Sequence, residues 1–136
     1  MGERENRIEL ANDYLLKSKE KLESAEILLK ENKFADSISR SYYAVYLSIK
    51  GVLLLIDEEP KTHSGLKMIF GMKFVKTNMV EKKYAKILNE LSNARQQGDY
   101  NPLTWFNKKD TQKYYADAVD FVERMMQLKK ELLKKI

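Results

Sequence analysis

Three groups of polar side chains in this sequence could do chemistry. In "ARQQGDY", Arg95 is followed four and five residues later by Asp99 and Tyr100. A guanidinium fork suits a phosphate, and a neighbouring tyrosine offers a face on which a base can stack. The same spacing suits a plain ion pair, because Arg95 and Asp99 are one helical turn apart. In "PKTHSG", the only histidine of the chain, His63, stands two residues after Lys61. Its unperturbed pKa lies near neutrality. At the start of a helix, the amide donors and Lys61 would favour an anion there and discourage protonation of the ring. The imidazole is then either available as a base or simply caps and packs. In "RSYYAV", Arg40 precedes two tyrosines, and Arg40, Tyr43 and Lys50 fall near one helical stripe. Such an arginine either grips a phosphate or pairs with a buried acid, while the tyrosines read mostly as core.

Other chemistries lack their residues. The chain has no cysteine and one histidine, which excludes disulfides, thiolate metal sites and multi-histidine cages. No glycine-rich phosphate loop, metal-ligand spacing or nucleophile elbow occurs. Glu58 and Glu59 sit beside Pro60 at a helix end, where solvation is expected. No metal and no cofactor are expected.

The elements that must position these residues are helices. Ile8, Ala11, Leu15, Ser18, Leu22, Ala25 and Leu29 step by three and four, as do Ala35, Ile38, Tyr42, Val45, Ile49, Val52 and Ile56. That is the pattern of long helices packed at shallow angles. The short break at Glu31-Asn32-Lys33 predicts an antiparallel hairpin. The second helix is apolar on most sides, so it is central or also faces a second subunit. Gly51 within it implies close backbone packing. Asp57 to Pro60 ends it, and Thr62 caps a short helix from His63 to about Phe74. Tyr84, Ile87, Leu91 and Ala94 line the inner face of a fourth helix, which Gly98 is expected to end as a C-cap. Trp105 and Phe106 lie in a loop and are expected to pack. A fifth helix starts near Asp110 and buries Tyr114, Ala118, Phe121, Met125, Leu128 and Leu132. The expected architecture is a single all-α domain over 1–136, an up-and-down helical bundle of four long helices plus one short helix.

Charge is uneven. Residues 1–59 carry 9 basic against 12 acidic side chains, and Lys61 to Lys86 holds seven lysines and one acid. This fits an anionic partner, nucleic acid being the commonest, or a solvated lysine-rich surface. The charged start "MGERENRIEL" does not read as a signal peptide, and the longest apolar run, Val52 to Ile56, is far too short to span a membrane. A cytoplasmic protein is expected.

The chain resembles the HEPN-domain family, in particular its short stand-alone prokaryotic branch of uncharacterised proteins. The residues that carry the resemblance are Arg40 to Val45, Pro60 to Leu66, Phe70 to Thr77 and Arg95 to Tyr100, and the similarity runs from about Ala11 to about Val122. It implies an all-α bundle that commonly dimerises. Many relatives are encoded beside a nucleotidyltransferase-fold protein, as toxin–antitoxin pairs or related systems. Others are metal-independent ribonucleases, in which an arginine and a histidine four to six residues later take up the phosphate and the 2′-hydroxyl proton. Arg95 matches that arginine, but Asp99, Tyr100 and Asn101 occupy the places where the histidine would stand. A tyrosine with a pKa near 10 is a poor base at pH 7. Some relatives are silenced by nucleotidyl transfer onto a tyrosine near the motif. Tyr100 is nearby, at a different offset.

The expected function is therefore a nucleotide- or RNA-binding module, a homodimer acting with a nucleotidyltransferase-type partner and lacking standard ribonuclease activity. Arg95, Tyr100, His63, Lys61, Arg40 and Asp99 are its candidate binding residues. The alternatives are a metal-independent ribonuclease with a composite Arg95/His63/Tyr100 site, and a non-catalytic dimeric interaction protein.

Overall fold

The computed structural model describes residues 2–135. Five helices follow one another: α1 (Glu3–Lys30), α2 (Phe34–Leu54), α3 (His63–Phe70), α4 (Lys82–Tyr100) and α5 (Lys108–Lys134). A π-helical turn, Gly71–Val75, extends α3. No strand occurs among the described residues, and the fold is an all-α helical bundle.

The three- and four-residue spacing in α1 and α2 makes one seam. Gly51 faces the Ala11 carbonyl, the Ser18 hydroxyl donates to the Ala44 carbonyl at 2.6 Å, and Ser37 donates to the Ala25 carbonyl at 2.7 Å. Each advance of seven along α1 meets a retreat of seven along α2, so the two run antiparallel. A Cβ on Gly51 would stand 3.0 Å from the Ala11 carbonyl oxygen. Only glycine allows the backbones so close at that point. The buried serines satisfy their hydroxyls on the facing backbone, as burial requires.

Both ends of this hairpin are closed by short polar residues in the left-handed conformation. Asn32 has φ 62° and Asp57 φ 61°. The amide of Lys33 returns to the Leu28 carbonyl at 2.8 Å, and that of Glu58 to the Leu53 carbonyl at 2.9 Å. These six-to-one bonds satisfy carbonyls that the helix leaves free, and asparagine and aspartate tolerate the geometry better than other non-glycine residues.

α2 packs against every other helix, which explains its apolar character on most sides. α5 closes the bundle. Phe121 is fully buried between Phe70 and Tyr84, at ring-centroid distances of 5.5 and 5.7 Å. Lys113 faces Glu90, the Tyr84 hydroxyl donates to Asp120 and Arg124 pairs with Glu81, so α4 and α5 are antiparallel.

Two expectations need correction. Gly98 does not end α4, which continues to Tyr100. No glycine has a positive φ, and a Cβ on Gly98 would lie 3.0 Å from Phe106 Cε2. The glycine is there to admit that ring. Of the two loop aromatics only Phe106 packs, edge-on to Tyr114, while Trp105 is 89% exposed.

Candidate functional site

Three tyrosines of α2 connect the residues that the sequence could only name separately. Tyr42, Tyr43 and Tyr46 lie within little more than one turn of helix, and Tyr42 is 1% exposed. Their rings form an edge-to-face and tilted cluster with centroids 5.4 to 6.2 Å apart.

Thr62 caps α3 by accepting the Gly65 amide at 2.9 Å, which sets His63 as the first helical residue. The imidazole then lies on the cluster, parallel to Tyr46 at 4.3 Å, with its Nδ1 2.7 Å from the Tyr42 hydroxyl. Behind Tyr42, Lys67 donates to the Ser92 hydroxyl at 3.1 Å. Burial holds the Tyr42 phenol at a pKa of about 12, against the opposing pull of Arg95. It therefore stays protonated and keeps its hydrogen bond at any physiological pH.

Arg95 reaches Tyr42 and Tyr43 from α4. Its Nη2 donates to the Tyr43 hydroxyl at 2.9 Å, and its guanidinium carbon lies 5.5, 5.2 and 5.9 Å from the ring centroids of Tyr42, Tyr43 and Tyr100. The Asp99 carboxylate is 3.1 Å from Nε. The buried Nε makes no well-angled hydrogen bond, so this contact is an attraction between charges. The arginine side chain is 16% exposed and Tyr100 is 74% exposed. A fork with one edge fixed on tyrosine, under an exposed aromatic face, can meet a phosphate with little reorganisation.

Burial, then the charges of Arg95, Lys67 and Lys50, lower the pKa of His63 below 6.5. The ring is neutral at pH 7. Acidification populates the charged form in the unfolded chain before the folded one, so the contribution of His63 to stability is level well above about pH 6.5 and falls as the pH drops through it. In urea titrations at pH 7.5 and 5.5, His63→Asn is expected to lose less stability on acidification than the wild type.

The other candidates lie around this centre. Lys61 is exposed and lines a neighbouring depression with Tyr14, Lys50, Glu58 and Glu59. Lys50 bridges that depression to the cluster, 5.2 Å from the Tyr14 ring and 5.7 Å from Tyr46. Arg40 is exposed, not paired with a buried acid, and borders a groove floored by Tyr43 and Tyr46. Tyr42, Tyr46, Lys67 and Ser92 were not among the site residues expected from the sequence. For Tyr42 and Tyr46 the one signal was three tyrosines within five residues of α2, and for Lys67 and Ser92 there was none. Among the described residues no group of three histidine, aspartate or glutamate side chains is placed to hold a metal, and no helix is long and apolar enough to cross a membrane.

Fold and site together define a small all-α protein that brings an arginine and a histidine from separate helices onto one tyrosine cluster. The HEPN domain model matches residues 11–132, and the chain belongs to the HEPN family. It is 31% identical over 85% of its length to "Putative toxin MJ0605" of Methanocaldococcus jannaschii, covering 86% of that protein. It is 30% identical over 97% of its length to a UPF0332 protein of Thermotoga maritima, covering 98% of that protein. A UPF0332 protein of Pyrococcus horikoshii is 44% identical over 52% of this chain and 50% of its own.

Proposed function

We propose that this protein is the HEPN-type member of a toxin–antitoxin-like pair. It is a cytoplasmic, homodimeric module that binds a nucleotide or RNA, acts with a nucleotidyltransferase-type partner and lacks the standard ribonuclease activity. The observation that carries this is the setting of Arg95. Its fork is fixed by Tyr43 beside the exposed Tyr100, and the residues after it supply a carboxylate already paired with the arginine and a phenol instead of an imidazole. The arrangement suits holding a phosphate better than cleaving at one. The toxin name of a relative supports the class of system. Lys61, Lys50 and His63 add donors along one side.

The test is fluorescence anisotropy with labelled single-stranded RNA in chelator, the same samples then run on a denaturing gel. Binding of intact RNA that weakens steeply with salt is expected, because phosphate contacts release counterions. Affinity that ignores salt would sink the proposal.

One observation favours a second reading. His63 is neutral at pH 7 and shares Tyr42 and Tyr43 with Arg95, so a base and a phosphate-binding cation stand on one cluster. A composite ribonuclease would then take the 2′-hydroxyl proton on His63. Cleavage in chelator that His63→Ala abolishes would establish it.

A further inference from the structure

The tyrosine cluster has an outer side that the site above does not use. Lys21 of α1 and Ser39, Arg40, Tyr43, Tyr46 and Leu47 of α2 line a shallow groove of about 480 Å³. That lies within the size range of sites that hold one small ligand. No carboxylate lines it, and among the described residues neither Lys21 nor Arg40 makes an ion pair. Two cations left without internal partners beside an aromatic floor are complementary to an anion carrying a flat, apolar ring.

The floor is held rigid from behind. Tyr43 accepts a hydrogen bond from Arg95, and Tyr46 stacks on His63. Tyr43 therefore belongs both to the groove and to the setting of Arg95, and Tyr46 ties the groove to His63, so a ligand on this outer side meets rings that the candidate site already orients. We propose that this groove is a subsite for a second nucleotide of single-stranded RNA, its base on Tyr43 and Tyr46 and its phosphate between Lys21 and Arg40. This rests on the reading of Arg95 as a phosphate site. The strand is single because a base within a duplex has both faces covered by its neighbours and cannot stack on protein.

The experiment measures competition by oligoadenylates of one to six nucleotides against a labelled hexanucleotide, in chelator. It compares the wild type, the Lys21→Ala/Arg40→Ala double variant, Arg95→Ala, and a Lys134→Ala/Lys135→Ala control with the same change of charge. For the wild type, affinity should rise with length. The double variant should lose tenfold or more for the hexanucleotide and much less for the mononucleotide, which Arg95 still holds. Its plot of log affinity against log salt should flatten by about 0.7 for each phosphate that is no longer neutralised. Full hexanucleotide affinity in the double variant, or a loss no larger than in the control, overturns the subsite. A change in sedimentation with unchanged RNA affinity also overturns it, making the groove an interface between copies. The Arg95 reading fails separately, if Arg95→Ala binds every length as the wild type does, and both fail if the wild type binds none.

Discussion

Replacing Arg95 by alanine is expected to weaken single-stranded RNA binding by tenfold to a hundredfold while the helical circular dichroism spectrum persists. Charge-assisted hydrogen bonds contribute about 1.5 to 3 kcal/mol each, and each 1.4 kcal/mol is roughly a factor of ten. The guanidinium is the cation that three tyrosine rings surround, so no other side chain can take its place. The cost in stability is smaller. Asp99, 32% exposed, can turn to water, and the Tyr43 hydroxyl loses one donor, together about 1 to 2 kcal/mol. Arg95→Lys keeps the charge and loses the fork, and an intermediate affinity is expected. If the alanine variant lost stability and kept its full affinity, Arg95 would be a structural clamp and nothing more.

Phe121→Ala is expected to be the most damaging single truncation for the fold, at about 3 to 5 kcal/mol. The ring is fully buried where α5 meets Phe70 at the end of α3 and Tyr84 near the start of α4. Three elements would share one cavity, and domains of this size have only about 5 to 15 kcal/mol in total. Urea denaturation should show the midpoint falling sharply. A loss below about 1 kcal/mol would mean that the neighbouring helices collapse into the space.

The helices were legible in the sequence because local rules and global packing agree in them. Ala11, Ser18 and Ala25 of α1 face Gly51, Ala44 and Ser37 of α2, and both sets follow the period that a helix imposes on its buried side. The end of α4 was misread because glycine serves two purposes. Near a helix end it usually supplies a positive φ, whereas Gly98 makes room for Phe106, a residue of the following loop that no helical period connects to it. The same limit applies to the site. The Arg95–Asp99 pair lies within one turn and could be read directly. Tyr42 with His63, 21 residues apart, and Tyr43 with Arg95, 52 apart, meet only through tertiary packing. Tyr42 illustrates the ambiguity: its ring is core, as its position in α2 suggests, while its hydroxyl orients the only imidazole.

The tryptophan in the loop between α4 and α5 has a practical consequence. Trp105 is the only tryptophan in the chain and already stands in water in the native state. Its emission is therefore nearly blind to melting of the core, whose aromatic signal comes from tyrosine and phenylalanine. What it does sense is its own doorstep, a few residues beyond Tyr100. The chain carries a built-in lamp on its outer wall, one that changes colour when another molecule settles over the loop and draws the water away.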